Sequence, residues 1–426
     1  MLLFEQLQKI VYLCYFIFLR YMVYQTHTLS NGIRLLHVPD ASPITYCGFA
    51  VNAGTRDELD DEQGMAHFVE HMLFKGTSHR KSWHIINWLE SIGGQVDAYT
   101  TKEETFVYAT VPSVYMQRAM ELLSDIMFHS LFPAHELERE LDVILDEIQS
   151  YNDSPSELIY DDFEELLFAD SPIGRNILGN AESLEAMTSE RLQAFVSRCH
   201  TTDQLVFFSL GNTDFSKLVR WAERLFTVPA SQRAFVREAP KAYVPQRQKS
   251  SKDTFQTHSM VGNRAFALSH PDRVALVLLN NILGGPNMSS RLNMSIRERN
   301  GLAYNVESNV TSYVDTGVWT VYVGCDPKNA KRCLQLIDKE LERLRTQPLD
   351  ARQLHTAKLQ LEGQLLIANE NKENLILAMA KLFLQQNYCL SDAEIHERIM
   401  AVTSEKLQQI ASELFNKESL THLMFD

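Results

Sequence analysis

The residues most able to do chemistry sit in one short run, GMAHFVEHMLFKGT, residues 64–77. His67, Glu70 and His71 stand at i, i+3 and i+4, so a helix there presents all three on one face. Two imidazoles one turn apart reach a single zinc ion, and the carboxylate between them lies where a general base for an attacking water is useful. The order His-x-x-Glu-His inverts the commoner zinc-protease order. The competing reading is a helix that carries two unrelated histidines, so the pattern needs a partner elsewhere in the chain.

A catalytic zinc takes three protein ligands and keeps one position open. The third should be an acid or histidine on a second helix, and HELERELDVILDEIQSY, residues 135–151, supplies one. Glu140 and Glu147 lie two turns apart on one face, while Leu141, Val143, Ile144, Leu145 and Ile148 are assigned to the buried side. Asp146 points about 100° away from Glu147. Glu147 is therefore assigned as the third ligand, and Glu140 as an outer acceptor that fixes the tautomer of a ligating imidazole. Without the histidine pair these carboxylates would read as a solvated acidic face.

The elements that must position these groups come in two copies. Met187-Thr-Ser-Glu-Arg-Leu192 is answered by Val402-Thr-Ser-Glu-Lys-Leu407, each opening an amphipathic helix at an N-cap Thr or Ser and each followed by a closing strand. Gly94 and Gly301 each begin a strand–turn–strand–helix run, and the two offsets agree to within a loop insertion. These repeats predict an α+β fold of two homologous units, each an antiparallel sheet with helices packed on one face. The expected division is an extra apolar segment over 1–21, a metal-binding domain over 22–238, a polar linker over 239–253 and a second repeat over 254–426. Where the first repeat carries its metal helix, the second has VALVLLNNIL at 274–283, which holds no ligand set.

Apolar residues make up 45% and charged residues 22% of 426, enough for two domains with real cores. The net charge of −14 argues against nucleic acid as partner, because phosphate binding needs a basic footprint. Six cysteines, at 14, 47, 199, 325, 333 and 389, form no C-x-x-C pair and read as buried thiols of a reducing compartment, which points to the cytoplasm. The run Ile10 to Leu19 (IVYLCYFIFL) between Lys9 and Arg20 is too short to span a bilayer and argues against a membrane protein. It reads first as an added helix or a start placed ahead of Met22. As a real targeting segment it would place the protein in the periplasm or on a membrane anchor. Ser30-Asn31-Gly32 predicts a hairpin turn soon after.

The pattern His67-Phe-Val-Glu70-His71 followed by Glu147 resembles the pitrilysin/insulinase family of inverted-motif zinc metallopeptidases. It is most similar to the single-unit members related to the mitochondrial processing peptidase beta subunit and to bacterial proteases of that type. The resemblance runs from about Thr26 to the carboxyl terminus. It implies one zinc per chain on His67, His71 and Glu147, with Glu70 as general base. GGPNMSSRL (284–292) and IRERNGLAY (296–304) resemble the family's glycine-rich stretch and its Arg/Tyr pair, which implies that Arg297 and Tyr304 reach the metal site as donors to the developing oxyanion. A peptide substrate is expected to add as a strand along Ala98, Tyr99 and Thr100. Two departures stand out: Asp97 where the family usually has Asn, which favours basic side chains, and Pro286-Asn287 where a third glycine is usual. The family's double units imply a homodimer or a heterodimer with a related subunit. A non-catalytic scaffold subunit of such a pair is the alternative function.

Overall fold

In the computed structural model the described residues are 23–252 and 254–426. The run Ile10 to Leu19, Cys14 and the proposed extra segment at 1–21 lie outside them. The first hairpin joins β1 (Gln25–Thr28) to β2 (Arg34–Pro39) in antiparallel register, with Gly32 at φ 96°, a left-handed conformation that suits glycine. Strand β3 (Ile44–Val51) leads through a buried loop to helix α1 (Met65–Met72) and then to α2 (Ser82–Glu90). The hairpin β4 (Gln95–Thr100) and β5 (Thr105–Pro112) follows, then α3 (Met116–His129), α4 (Ala134–Asn152) and α5 (Pro155–Leu167). Helices α6 (Ala181–Glu185) and α7 (Ser189–Cys199) precede β6 (Leu205–Gly211), and α8 (Phe215–Leu225) ends the first half. The apolar run LVFFSLG of β6 is buried along its whole length because β6 takes a central position in the sheet.

The second half contains β7 (Arg247–Ser250), β8 (Thr257–Ala265), α9 (Arg273–Gly284), β9 (Ala303–Ser312), β10 (Gly317–Cys325) and α10 (Pro327–Thr346). Then come α11 (Ala351–Ala368), α12 (Lys372–Gln386), α13 (Asp392–Ala401), α14 (Ser404–Leu414) and β11 (Thr421–Phe425). Strand orders are β1-β2-β6-β3-β5-β4 and β7-β11-β8-β10-β9. Beyond the extra β1, the second order reproduces the first strand for strand, and α9 falls where α1 falls. The matched phrases also correspond in detail. Thr188 caps α7 by accepting from the Arg191 amide, and Thr403 caps α14 by accepting from the Lys406 amide.

Two features refine the expected architecture. Each sheet is antiparallel except for one parallel pair, β2 with β6 and β7 with β11, because the closing strand of each repeat inserts beside its first. Helices also cover both faces of each sheet, and the second layer is exchanged between halves. The near face of the first sheet packs on α1, α3 and α7. Its far face, with Leu36, Val38, Phe106 and Phe208, is covered by Ile376, Met379 and Phe383 of α12 from the second half. In return α5 of the first half places Leu158, Ile159 and Phe163 on Met260, Leu423 and Phe425 of the second sheet. A strand apolar on both sides must be covered on both, since each large apolar side chain contributes about 1.5–3 kcal/mol when buried.

Buried charges join the same junction. Arg56 bridges Glu103 at 2.6 Å and Asp315 of the second half at 2.7 Å, and Arg237 meets Asp57 at 2.6 Å. The segment 239–253, expected as linker, contains strand β7, which pairs with β11. As an exposed edge strand with side chains of polar type, β7 carries no apolar alternation to reveal it. Among the described residues no helix is long and apolar enough to cross a membrane, and Cys47, Cys199, Cys325, Cys333 and Cys389 are free and buried.

Candidate metal centre

Helix α1 begins at Gly64, whose φ of 89° and lack of a side chain let it pass the Leu178 carbonyl, where a Cβ would lie at 2.7 Å. Glycine offers no cap, and the cap comes from Glu58, six residues upstream. Its carboxylate accepts from the Gly64 amide at 3.1 Å and the Ala66 amide at 2.8 Å. Burial pushes the Glu58 carboxyl well up from its ordinary value, against those two hydrogen bonds. Removing this acceptor would strand two buried amides at the start of the helix. Glu58→Ala is therefore expected to lower stability by about 1–3 kcal/mol, read as a drop in denaturation midpoint.

Met65, Phe68, Val69 and Met72 sink into the core and turn the opposite face of α1 toward α4. There the His67 and His71 rings lie 4.6 Å apart at 66°. Each Nε2 is 3.7 Å from Oε2 of Glu147, and the three donor atoms lie within 4.8 Å of one another. Ligands on bonds of about 2.1 Å at tetrahedral angles stand about 3.4 Å apart, so this set fits one zinc ion. Burial, then the neighbouring His71, pushes His67 down to about 3, which keeps its imidazole neutral and its lone pair available to a metal. Among the described residues this is the only His, Cys, Asp and Glu group so arranged. The corresponding helix α9 of the second half buries Leu276, Leu279 and Leu283 in its place.

Glu140, also buried, accepts at 3.2 Å from Nδ1 of His71 and pairs with Lys75 at 2.5 Å. That hydrogen bond would leave the His71 Nε2 lone pair facing Glu147. Val143, assigned to the buried side of α4, is exposed. It lies one turn from both Glu140 and Glu147, so it shares their face. Glu70 is not part of the donor cluster. Its carboxylate accepts from the Thr100 hydroxyl at 2.6 Å, and burial raises its pKa, with Thr100 opposing and Glu147 and Asp97 reinforcing the rise.

Among the described residues strand β4 is the outer strand of its sheet and pairs only with β5. Ala98 packs with the core cluster beneath α1, and Thr100 reaches Glu70. Tyr99 points to the other face, stacked on Phe106 at 4.9 Å, so only its backbone is available to a peptide at the edge. Asp97 accepts from the Ala98 amide at 2.8 Å. Arg297 and Tyr304 are brought to each other, the guanidinium 5.5 Å from the ring centre. Tyr304 is 84% exposed near the start of edge strand β9, and among the described residues neither side chain bonds to His67, Glu70, His71 or Glu147. Sequence reading missed Glu58 and Lys75. The i, i+4 step from His71 could have flagged Lys75, whereas no local pattern marks Glu58 as a cap.

Fold and site define a class: a duplicated α+β chain that sets two histidines and a distant glutamate beside an open sheet edge. Residues 36–181 match the family described as Insulinase (Peptidase family M16), and residues 186–361 match the Peptidase M16 inactive domain. A protein described as an uncharacterized zinc protease of Bacillus subtilis (strain 168) is 31% identical over 397 residues, covering 92% of this chain and 96% of its own. Another so described, from Rickettsia felis, is 32% identical over 393 residues, covering 91% and 94%. A solved protease from Helicobacter pylori shares the fold with a TM-score of 0.88 at 20% identity, over 95% of this chain and 99% of its own. The chain belongs to the M16 peptidase family.

Proposed function

We propose that the protein is a zinc endopeptidase acting on peptides or unfolded segments of polypeptide. The observation that carries this reading is the convergence of His67, His71 and Glu147 beside Glu70 and an unpaired strand edge. Zinc held by those three residues would supply a Lewis acid that acidifies water and polarises the scissile carbonyl. Glu70 takes the proton of the attacking water and delivers it to the leaving amine as the C–N bond breaks. The substrate backbone adds to β4 as a further strand and is thereby held extended across the site. Asp97 lies on the β4 edge beside the site, so peptides bearing Lys or Arg are favoured there. The buried free thiols fit a reducing compartment such as the cytoplasm, and a second related chain is the expected partner.

Arg297 and Tyr304 complete the proposal as donors to the carbonyl oxygen of the substrate as it gains negative charge. Tyr304→Phe is expected to lower kcat about tenfold to a thousandfold with unchanged zinc content, in steady-state assays paired with metal analysis. Wild-type turnover in that variant would leave Tyr304 without a role in the reaction. The proposal as a whole is tested by metal analysis and cleavage of a mixed peptide library. About one zinc per chain, with cleavage lost to a chelator and restored by zinc, is expected. Metal-loaded protein that cuts nothing in the library would favour the scaffold reading instead.

A further inference from the structure

Thr100 ends strand β4, paired with Thr105, and its hydroxyl donates to Oε2 of Glu70 at 2.6 Å. This is the only hydrogen bond the Glu70 carboxylate makes among the described residues, and it leaves Oε1 without an intramolecular partner. A glutamate side chain turns about three bonds, so a carboxylate held by a single hydrogen bond, on the helix face it shares with His67 and His71, has several rotamers open to it. One short hydrogen bond to a rigid strand selects among them. The hydroxyl thus occupies the oxygen that faces the strand and leaves the other to accept a proton.

The rigidity of Thr100 has its own origin. It leads directly into a tight turn in which the Thr101 amide donates to the Glu104 carbonyl at 2.8 Å. The three charged residues of that turn are all buried, and each is tied to a different element. Lys102 donates to the Arg175 carbonyl at 2.6 Å, Glu103 accepts from the Val314 amide of the second half at 2.9 Å, and Glu104 meets Lys381 of α12 at 3.1 Å. Three buried and paired charges in succession pin a loop tip that exposure would otherwise leave mobile.

We propose that Thr100 is a positioning residue for Glu70: its hydroxyl fixes the carboxylate in the rotamer that presents Oε1 to the attacking water, and does not bind the peptide. The inference rests on the reading of Glu70 as general base. Catalytic geometry tolerates little error, since a displacement of about 1 Å can cost roughly a hundredfold in rate. The test compares Thr100→Val, which keeps the shape and loses the hydroxyl, with Thr100→Ser, which keeps the hydroxyl. Steady-state kinetics use the best peptide found for the wild-type protein, with zinc content and denaturation midpoint measured on the same samples.

The expected result is a kcat lowered about 10- to 100-fold in Thr100→Val at unchanged KM and zinc content, with Thr100→Ser close to wild type. Wild-type kcat in Thr100→Val overturns the inference, as does an equal loss in both variants or a loss of zinc. A change confined to KM overturns it in favour of a peptide contact. Glu70→Gln serves as the control for the underlying reading. If that variant turns over like wild type, Glu70 is not the base and the fault lies there. If it is inactive while Thr100→Val is unaffected, the reading of Glu70 stands and only the positioning role falls.

Discussion

Glu70→Gln is expected to retain zinc and bind peptide as before, while kcat falls by about 10²- to 10⁴-fold. The amide preserves the length and shape of the side chain and still accepts from Thr100, so the helix and its neighbours have no reason to move. What disappears is a basic oxygen beside the water. Metal analysis, peptide affinity and steady-state turnover on one preparation separate these effects. The wild-type protein should also show a rate that rises with pH as the Glu70 carboxyl ionises, because only the carboxylate accepts a proton. Burial raises that pKa and a zinc ion beside it lowers it, so the position of the rise reports their balance, and the variant should lack the rise. Loss of zinc in Glu70→Gln would instead make Glu70 a ligand.

Metal affinity separates the two glutamates of α4. Glu147→Gln removes the one anionic donor from a cluster whose other members are neutral imidazoles. Its zinc affinity should fall by more than the roughly 10- to 100-fold typical of losing an outer partner. Glu140→Gln should show that smaller loss, since it weakens only the hydrogen bond to His71 Nδ1 and the pairing with Lys75. A competition titration against a chromophoric chelator measures both. If Glu140→Gln lost the metal while Glu147→Gln kept it, the two assignments would be exchanged.

What the sequence reveals of this site follows from the range of the interactions. The i, i+3, i+4 spacing of His67, Glu70 and His71 and the face shared by Glu140 and Glu147 are properties of single helices, so a linear reading finds them. The helix caps at Thr188 and Thr403 are local in the same way, and with them the duplication. The Glu58 cap depends on how a loop folds back on α1, and no spacing encodes it. Strand β7 is exposed and polar, so its partner β11 defines it rather than its own residues. The exchange of α5 and α12 is likewise silent, because amphipathicity marks a face for burial without naming the sheet that buries it. The position of Arg297 and Tyr304 depends on how the halves meet, and the short helical segment Asn293–Glu298 and the strand that carry them hold no trace of that.

The loan of α12 sets a timetable for biosynthesis. Protein synthesis runs from the amino terminus, and domains ordinarily settle in the order in which they leave the ribosome. Here, among the described residues, the cover of the far side of the first sheet, with Leu36, Val38, Phe106 and Phe208, is Ile376 and Phe383 of α12, which are translated long after it. The nascent first half therefore emerges with a broad apolar surface bare, and the metal helix rests on the other side of that unfinished sheet. Completion of the first sheet waits on the second half, and until then its far face is exposed apolar surface. A chain that stops short of α12 would keep that face bare, however complete its cluster of His67, His71 and Glu147.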